Sequence, residues 1–140
     1  VKYIYIAGPY SQGNTMDNIQ KACAIAEILA DEGYIPFVPH LMGFMHLQGQ
    51  RPESYWKNIG LQWVDRCDAV YRLRGDSPGT DEECKRALSQ GKIVYHSMLS
   101  LLGYEPVTPN TCGSCRTGIH LHGVQQVICQ CTCGCIEEKK

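Results

Sequence analysis

The feature that most constrains this chain is the alternation of short apolar runs with amphipathic helical runs across its first hundred residues. Residues 2–6 are apolar and β-branched or aromatic after Lys2 and end at Gly8-Pro9, which predicts a buried strand. Asn14, Thr15 or Asp17 is placed to cap a helix. Its apolar face, Ile19, Ala22, Cys23, Ala26 and Leu29, follows a period near 3.6 until Gly33 stops it. Residues 34–38 read as a second strand and 39–52 as a long loop with Gly43, Gly49 and Pro52. A helix over 53–66 follows, with Trp56, Gly60, Trp63, Val64 and Cys67 on one face. Then come a strand over 68–73, a loop over 75–80, a helix over 81–90, a strand over 92–96 and a short helix over 97–102. Apolar strands joined by helices need cover on both faces. The expected fold is therefore α/β, a three-layer sandwich around a parallel, doubly wound sheet of the flavodoxin or Rossmann type.

Composition narrows the class. An apolar share of 44% against 19% charged residues suits a chain that buries a core rather than a disordered one. No apolar run approaches the ~18 residues of a membrane span. The opening residues lack the charged, apolar and cleavage regions of a signal peptide, so a cytoplasmic protein with no membrane partner is expected. A formal net charge of −1 gives no electrostatic footprint for polyanions, and nucleic acid is not an expected partner.

In an open parallel sheet, ligands gather at the carboxyl ends of the strands. Three loops qualify: 8–15, 40–51 and 75–80. The first, GPYSQGNT, runs into a helix N-terminus and can present backbone N–H groups to a phosphate. Its glycine spacing matches neither a dinucleotide fingerprint nor a Walker loop. His40 and His46 flank the apolar stretch of the second loop, as lid residues that pack or touch substrate rather than as a metal pair. The third loop leads into Thr80-Asp-Glu-Glu83, where Thr80-x-x-Glu83 matches a capping box and the carboxylates favour the helix dipole. The same dipole holds a carboxylate ionised, as a nucleophile requires. Asp68 opens its strand and so belongs about 20 Å from that loop, whereas Asp76 follows the strand at the correct end.

Four pieces in order, Tyr3-Ile-Tyr-Ile-Ala-Gly-Pro-Tyr10, Gly33-Tyr-Ile-Pro-Phe-Val-Pro-His40, Cys67-Asp-Ala-Val70 and Gly75-Asp-Ser-Pro-Gly-Thr-x-x-Glu83, resemble the nucleoside 2-deoxyribosyltransferase-like family, above all its short nucleotide N-glycosidase-type branch. The resemblance spans about two thirds of the chain. It implies cleavage or exchange of the N-glycosidic bond of a (deoxy)nucleoside or its 5′-monophosphate, with no cofactor for the catalysis. It implies Glu83 as the nucleophile at C1′, Tyr5 as the residue that orients it, and Ser77 and Ser11 as phosphate contacts. Asp76 is the candidate acid for the leaving base. Gly8, Pro9, His40, Gly79 and Thr80 complete the expected substrate-binding set. Family analogy also implies a homodimer or higher oligomer with sites near the interface. Paired carboxylates suit this chemistry, one attacking an oxocarbenium-like centre while another carries the proton.

One position departs from the family, which carries an Asp eight residues before the strand-opening Asp. Counting back from Asp68 lands on Gly60. A mid-helix glycine costs roughly 0.5–1 kcal/mol against Ala and needs a reason such as close packing or room for a ligand. If Gly60 stands in the acid's place, Gly60→Asp is expected to put a carboxylate opposite Glu83 and raise cleavage. Glu53, two turns earlier, is a partial substitute.

Gly103 to Pro109 reads as a linker, dividing the chain into a domain over 1–104 and a tail over 105–140. Six of the nine cysteines crowd into that tail. Cys112-Gly-Ser-Cys115 resembles a zinc knuckle, and Cys129 with Cys131 can complete a tetrahedral structural site in a zinc-ribbon-like tail. His120 and His122 are runner-up ligands, Cys133 and Cys135 leave the ligand set open, and disulfides or free thiols are the alternative. A second functional reading follows from Gly60 and the tail: a catalytically weak nucleotide-binding module whose zinc tail contacts a partner protein or nucleic acid.

Overall fold

Strand β1 (Tyr3–Ala7) lies inside a parallel four-stranded sheet of order β2-β1-β3-β4, with β2 at Ile35–Phe37, β3 at Ala69–Arg72 and β4 at Val94–Tyr95. The structure is a computed structural model and describes residues 1–103. The expected α/β parallel sheet is present there; the cysteine-rich tail lies outside the described residues.

The period-2 rule divides β1 between two cores. Ile4 and Ile6 face one layer with Ala69 and Tyr71, where they meet Ala22 and Leu29 of helix α1 (Thr15–Asp31) and Leu101 of α5 (Met98–Leu101). Tyr5 and Ala7 face the other with Val70, against Val64 and Cys67 at the end of α3 (Glu53–Arg66) and Cys84 and Ala87 of α4 (Pro78–Ser89). Fully burying an aliphatic side chain such as Ile4 or Ile6 contributes ~1.5–3 kcal/mol, which sets this strand as the spine of the fold. The chain passes from β1 to β2 on one side of the sheet and then to β3 on the other side of β1. The reversal of strand order therefore falls between β1 and β3, where a crevice opens at the carboxyl ends.

Local chemistry explains the element ends. The Asn14 side chain accepts from Asp17 N–H and caps α1. Pro36 lacks a donor, and it sits on the edge strand β2, where one ladder side is open. Two expectations need correction. Segment 39–52 is not all loop: Pro39–Met42 forms a 3₁₀ turn that passes directly into a short helix α2 (Gly43–His46). Gly43 takes ordinary helical angles there, and it is glycine because the Tyr10 ring leaves no room for a Cβ. Helix α4 starts earlier than the capping-box reading implies. Ser77 is the N-cap, accepting from Thr80 N–H at 3.3 Å, and Pro78 takes the first helical position, where its missing N–H costs nothing.

Cys23, Cys67 and Cys84 are free thiols, and the latter two are buried as small apolar groups. Burial pushes the Cys67 thiol up to about 11, so it is inert at neutral pH. No helix among the described residues is long and apolar enough to cross a membrane.

Candidate active site

Tyr5 and Glu83 stand 78 positions apart in the chain, yet the Tyr5 hydroxyl donates to Glu83 Oε1 across 2.6 Å. The sheet puts Tyr5 on the α3/α4 face of β1, and the second turn of α4 carries Glu83 over it. Glu83 therefore does not turn back to cap its own helix, as a capping box would require. Burial pushes its carboxyl from 4.5 up to about 7, helped by neighbouring Glu82 and opposed by the Tyr5 hydrogen bond and Lys57. Burial and the Glu83 charge push the Tyr5 hydroxyl far above the usual phenol range, so Tyr5 remains the donor at any ordinary pH. Lys57 and Glu82 form an ion pair that ties α3 to α4 beside the pair.

The two side chains line a cavity of about 610 Å³, large enough for a nucleoside-sized molecule. The first loop contributes Gly8 and Ser11, and the loop before α4 contributes Ser77, Gly79 and Thr80. Gly8 has a steric reason: a Cβ there would lie 2.7 Å from Leu73 Cδ1. His40 is 3% exposed and also lines the cavity. Its Nε2 lies 3.1 Å from the Pro9 carbonyl, which can only accept, so this nitrogen carries the proton. Burial pulls the His40 pKa down and keeps the ring neutral, leaving Nδ1 an acceptor. Nδ1 of His40 and Oγ1 of Thr80 are buried with no hydrogen-bond partner among the described residues. Orphan polar atoms in a cavity wall are unusual and suit a wall that meets a polar ligand.

Two expected residues do not reach the cavity lining. Pro9 is buried behind it, with its carbonyl holding His40 and its ring against Gly75, whose φ of +125° only glycine takes readily. Asp76 is exposed at the turn before α4 and is not part of the lining. The carboxylates in the lining are Glu83 and Glu53. Asp68 sits at the amino end of the sheet as expected, where its Oδ2 accepts from the N–H groups of Lys2 and Tyr3, both at 2.8 Å.

Gly60 lies under the pair. A Cβ there would come within 2.9 Å of the Tyr5 hydroxyl and 3.4 Å of Glu83 Oε1. The position needs glycine because the Tyr5–Glu83 pair occupies the space a side chain would take. A side chain there must displace the Tyr5 hydroxyl or Glu83, which argues against the gain expected from Gly60→Asp.

The sequence reading put Trp56 on the inner face of α3 but gave it no role. Its indole N–H donates to His46 Nδ1 at 2.9 Å, pinning α2 to α3 at the cavity rim. Tyr10, Met42, Arg51 and Lys57 also line the cavity and carried no sequence signal beyond proximity to the loops. Among the described residues, no group of three or more His, Cys, Asp or Glu is placed to hold a metal. Cys112, Cys115, Cys129 and Cys131 lie outside them.

Among solved structures, the chain is similar to a 2-desoxiribosyltransferase from Leishmania mexicana, with a TM-score of 0.49 and 19% identity over 76% of this chain and 74% of that one. It is similar at the same TM-score and identity to a 2-deoxyribosyltransferase from the psychrotolerant bacterium Bacillus psychrosaccharolyticus, over 71% of this chain and 78% of that one. No curated protein matches the sequence. Residues 2–97, which hold the whole sheet and every residue of the cavity lining, match the family described as a domain of unknown function (DUF7768), and the chain belongs to that family.

Proposed function

We propose that the chain cleaves or exchanges the N-glycosidic bond of a nucleoside or nucleoside 5′-monophosphate, with Glu83 as the nucleophile. The single observation that carries this reading is the Tyr5–Glu83 hydrogen bond at the wall of an open cavity. A carboxylate held in one position, partly dehydrated and presented to a ligand-sized space, fits attack on an electrophilic carbon. Tyr5 holds one oxygen and leaves the other free. As Glu83 bonds to C1′, the C1′–N bond breaks and its electron pair leaves with the base, which takes a proton from an acid in the cavity. Glu53 is the carboxyl group in the lining that fits that task, in place of Asp76. Water or a second base then attacks C1′ and releases Glu83.

Ser11, Ser77 and the N–H groups at the start of α4 suit a 5′-phosphate, because a helix N-terminus favours anions. The buried acceptor at His40 Nδ1 and the hydroxyl of Thr80 suit sugar hydroxyl groups. The exposed apolar side chains of Leu41, Phe44, Met45 and Leu47 near the rim favour the homodimer expected from the resemblance.

The binding-module reading is favoured by Gly60, which supplies no acid at that position. One experiment separates the two. The full chain is incubated with a panel of nucleosides and 5′-monophosphates, with and without a second free base, and chromatography follows released or exchanged base. Turnover lost in a folded Glu83→Gln protein is the expected result. Binding without turnover in the unaltered protein selects the module.

A further inference from the structure

A second cavity, of about 550 Å³, opens on the opposite face of the sheet, at the carboxyl ends of β3 and β4. Its polar lining is Lys21 of α1, Tyr71 and Arg72 of β3, Arg74 after it, and His96 and Ser97 after β4. Every one of these can donate a hydrogen bond, three are cations, and no carboxylate lines the space. We propose that this cavity binds an oxyanion, the phosphate group of a small phosphorylated molecule, independently of the reaction at Glu83.

Three observations support it. First, the cations are not neutralised in place. Among the described residues, neither Lys21 nor Arg74 has a carboxylate within 4.0 Å, whereas Arg72 is committed to Asp81 at 2.7 Å. Both side chains are exposed, so each is available to an anion that enters the concavity. Second, Tyr71 is 7% exposed and lines the cavity, yet its hydroxyl makes no hydrogen bond among the described residues. Unlike His40 Nδ1 and Thr80 Oγ1, that hydroxyl is not sealed off from solvent, so an anion entering the cavity can accept from it. Third, the donors come from three chain segments brought together by the fold, so they surround the space rather than line one helix.

Arg72 also connects this cavity with the first. Its guanidinium donates to the Leu73 carbonyl at 3.3 Å, the Gly75 carbonyl at 3.4 Å and Asp81, thereby tying down the loop that carries Ser77. The anion is not assigned to Arg72, which is held by Asp81 and two backbone carbonyls.

The test titrates the full-length, ¹⁵N-labelled protein with inorganic pyrophosphate and follows backbone amide shifts, with potassium chloride at matched ionic strength as the control. Saturable shifts of Lys21, Tyr71, Arg74, His96 and Ser97 that chloride does not reproduce are expected. Losing two charge-assisted contacts in Lys21→Gln/Arg74→Gln should weaken binding at least about tenfold. Tyr71→Phe, which removes only the hydroxyl, should weaken it by a smaller factor. Shifts confined to Gly8–Ser11 and Ser77–Thr80 would assign pyrophosphate to the first cavity and overturn the proposal. So would shifts that never saturate, or a double variant that binds as tightly as the unaltered protein. Should the double variant not fold, Lys21→Gln alone gives the same comparison.

Discussion

Gly60 lies beneath the Tyr5 hydroxyl so closely that a Cβ would come within 2.9 Å of it. The Tyr5 ring cannot move aside easily, since it is fully buried and stacks at 5.7 Å on Phe37, which stacks in turn at 4.3 Å on Trp63. Helix propensity alone favours Gly60→Ala by ~1 kcal/mol, but overpacking costs about 1–3 kcal/mol, and the second effect should win. Both Gly60→Ala and Gly60→Asp should displace Tyr5 from Glu83. We expect each to melt no higher than the unaltered protein and to lose base release by about tenfold or more. A fully active Gly60→Asp protein would show that the pair does not need this space.

The pH dependence of base release should follow the Glu83 carboxyl. With a value of about 7, the ionised form grows tenfold per pH unit below 7 and levels off above it. kcat/KM should rise in the same way until the acid that protonates the leaving base ionises. The Tyr5 hydrogen bond favours the ionised carboxylate, so Tyr5→Phe should move the rise to higher pH. A rate that still falls across this range in a Glu53→Gln protein would make Glu83 a proton donor rather than a nucleophile.

The parts of this fold legible in the sequence are those fixed by local periodicity. The apolar run over residues 2–6 and the 3.6 period of α1 and α3 are burial signals, and they place the strands and helices within a few residues. The start of α4 is ambiguous in the sequence because two caps overlap there, Ser77-Pro78 and Thr80-x-x-Glu83. Tertiary contact decides between them. Glu83 meets Tyr5 instead of its own backbone, and Thr80 turns into the buried wall. Segment 39–52 reads as loop because Gly43 looks like a breaker, whereas Tyr10, 33 residues earlier, makes glycine the residue that fits a helix there. Trp56 and His46 meet only because α2 forms, so their bond had no local signature. Asp76 was placed correctly along its strand, but strand order does not determine whether a loop residue faces the crevice.

Asp68 offers a control far from the chemistry. Its carboxylate accepts from two backbone N–H groups at the start of β1, and those bonds hold its pKa below the usual range. A depressed folded value means stability that is present at neutral pH and lost as pH falls through the carboxylate range. Asp68→Ala should lower the melting temperature at pH 7 and flatten its decline in acid, with kcat per folded molecule unchanged. Loss of turnover in a folded Asp68→Ala protein would link the amino end of the sheet to the reaction.

The tail expectation is independent of all of this. Four thiolates from Cys112, Cys115, Cys129 and Cys131 should hold about one zinc ion per chain in a closed, structural site. Native mass spectrometry of the reduced protein should show that mass increment, and Cys112→Ser/Cys115→Ser should remove it. Base release should not change, because a metal held by four thiolates keeps no open position. A metal-free mass with paired cysteines would establish disulfides instead.

Glu83 should also cost the fold stability where it is ionised. Its carboxyl rises from 4.5 to about 7 on folding, so between these values the folded state binds the extra proton. The sign follows directly: the contribution of this group is most favourable below pH 4.5 and is lost as pH rises through 7, where a partly dehydrated charge has no cation bonded to it. The shift corresponds to a penalty on the order of 1–3 kcal/mol at alkaline pH. Glu83→Gln keeps the shape and can still accept from Tyr5, but it never ionises. It should therefore match the unaltered protein at pH 4.5 and melt several degrees higher at pH 8 while releasing no base. Thermal melts across that range decide it. Equal melting temperatures at pH 8 would mean that Glu83 is neither strained by its burial nor held for chemistry.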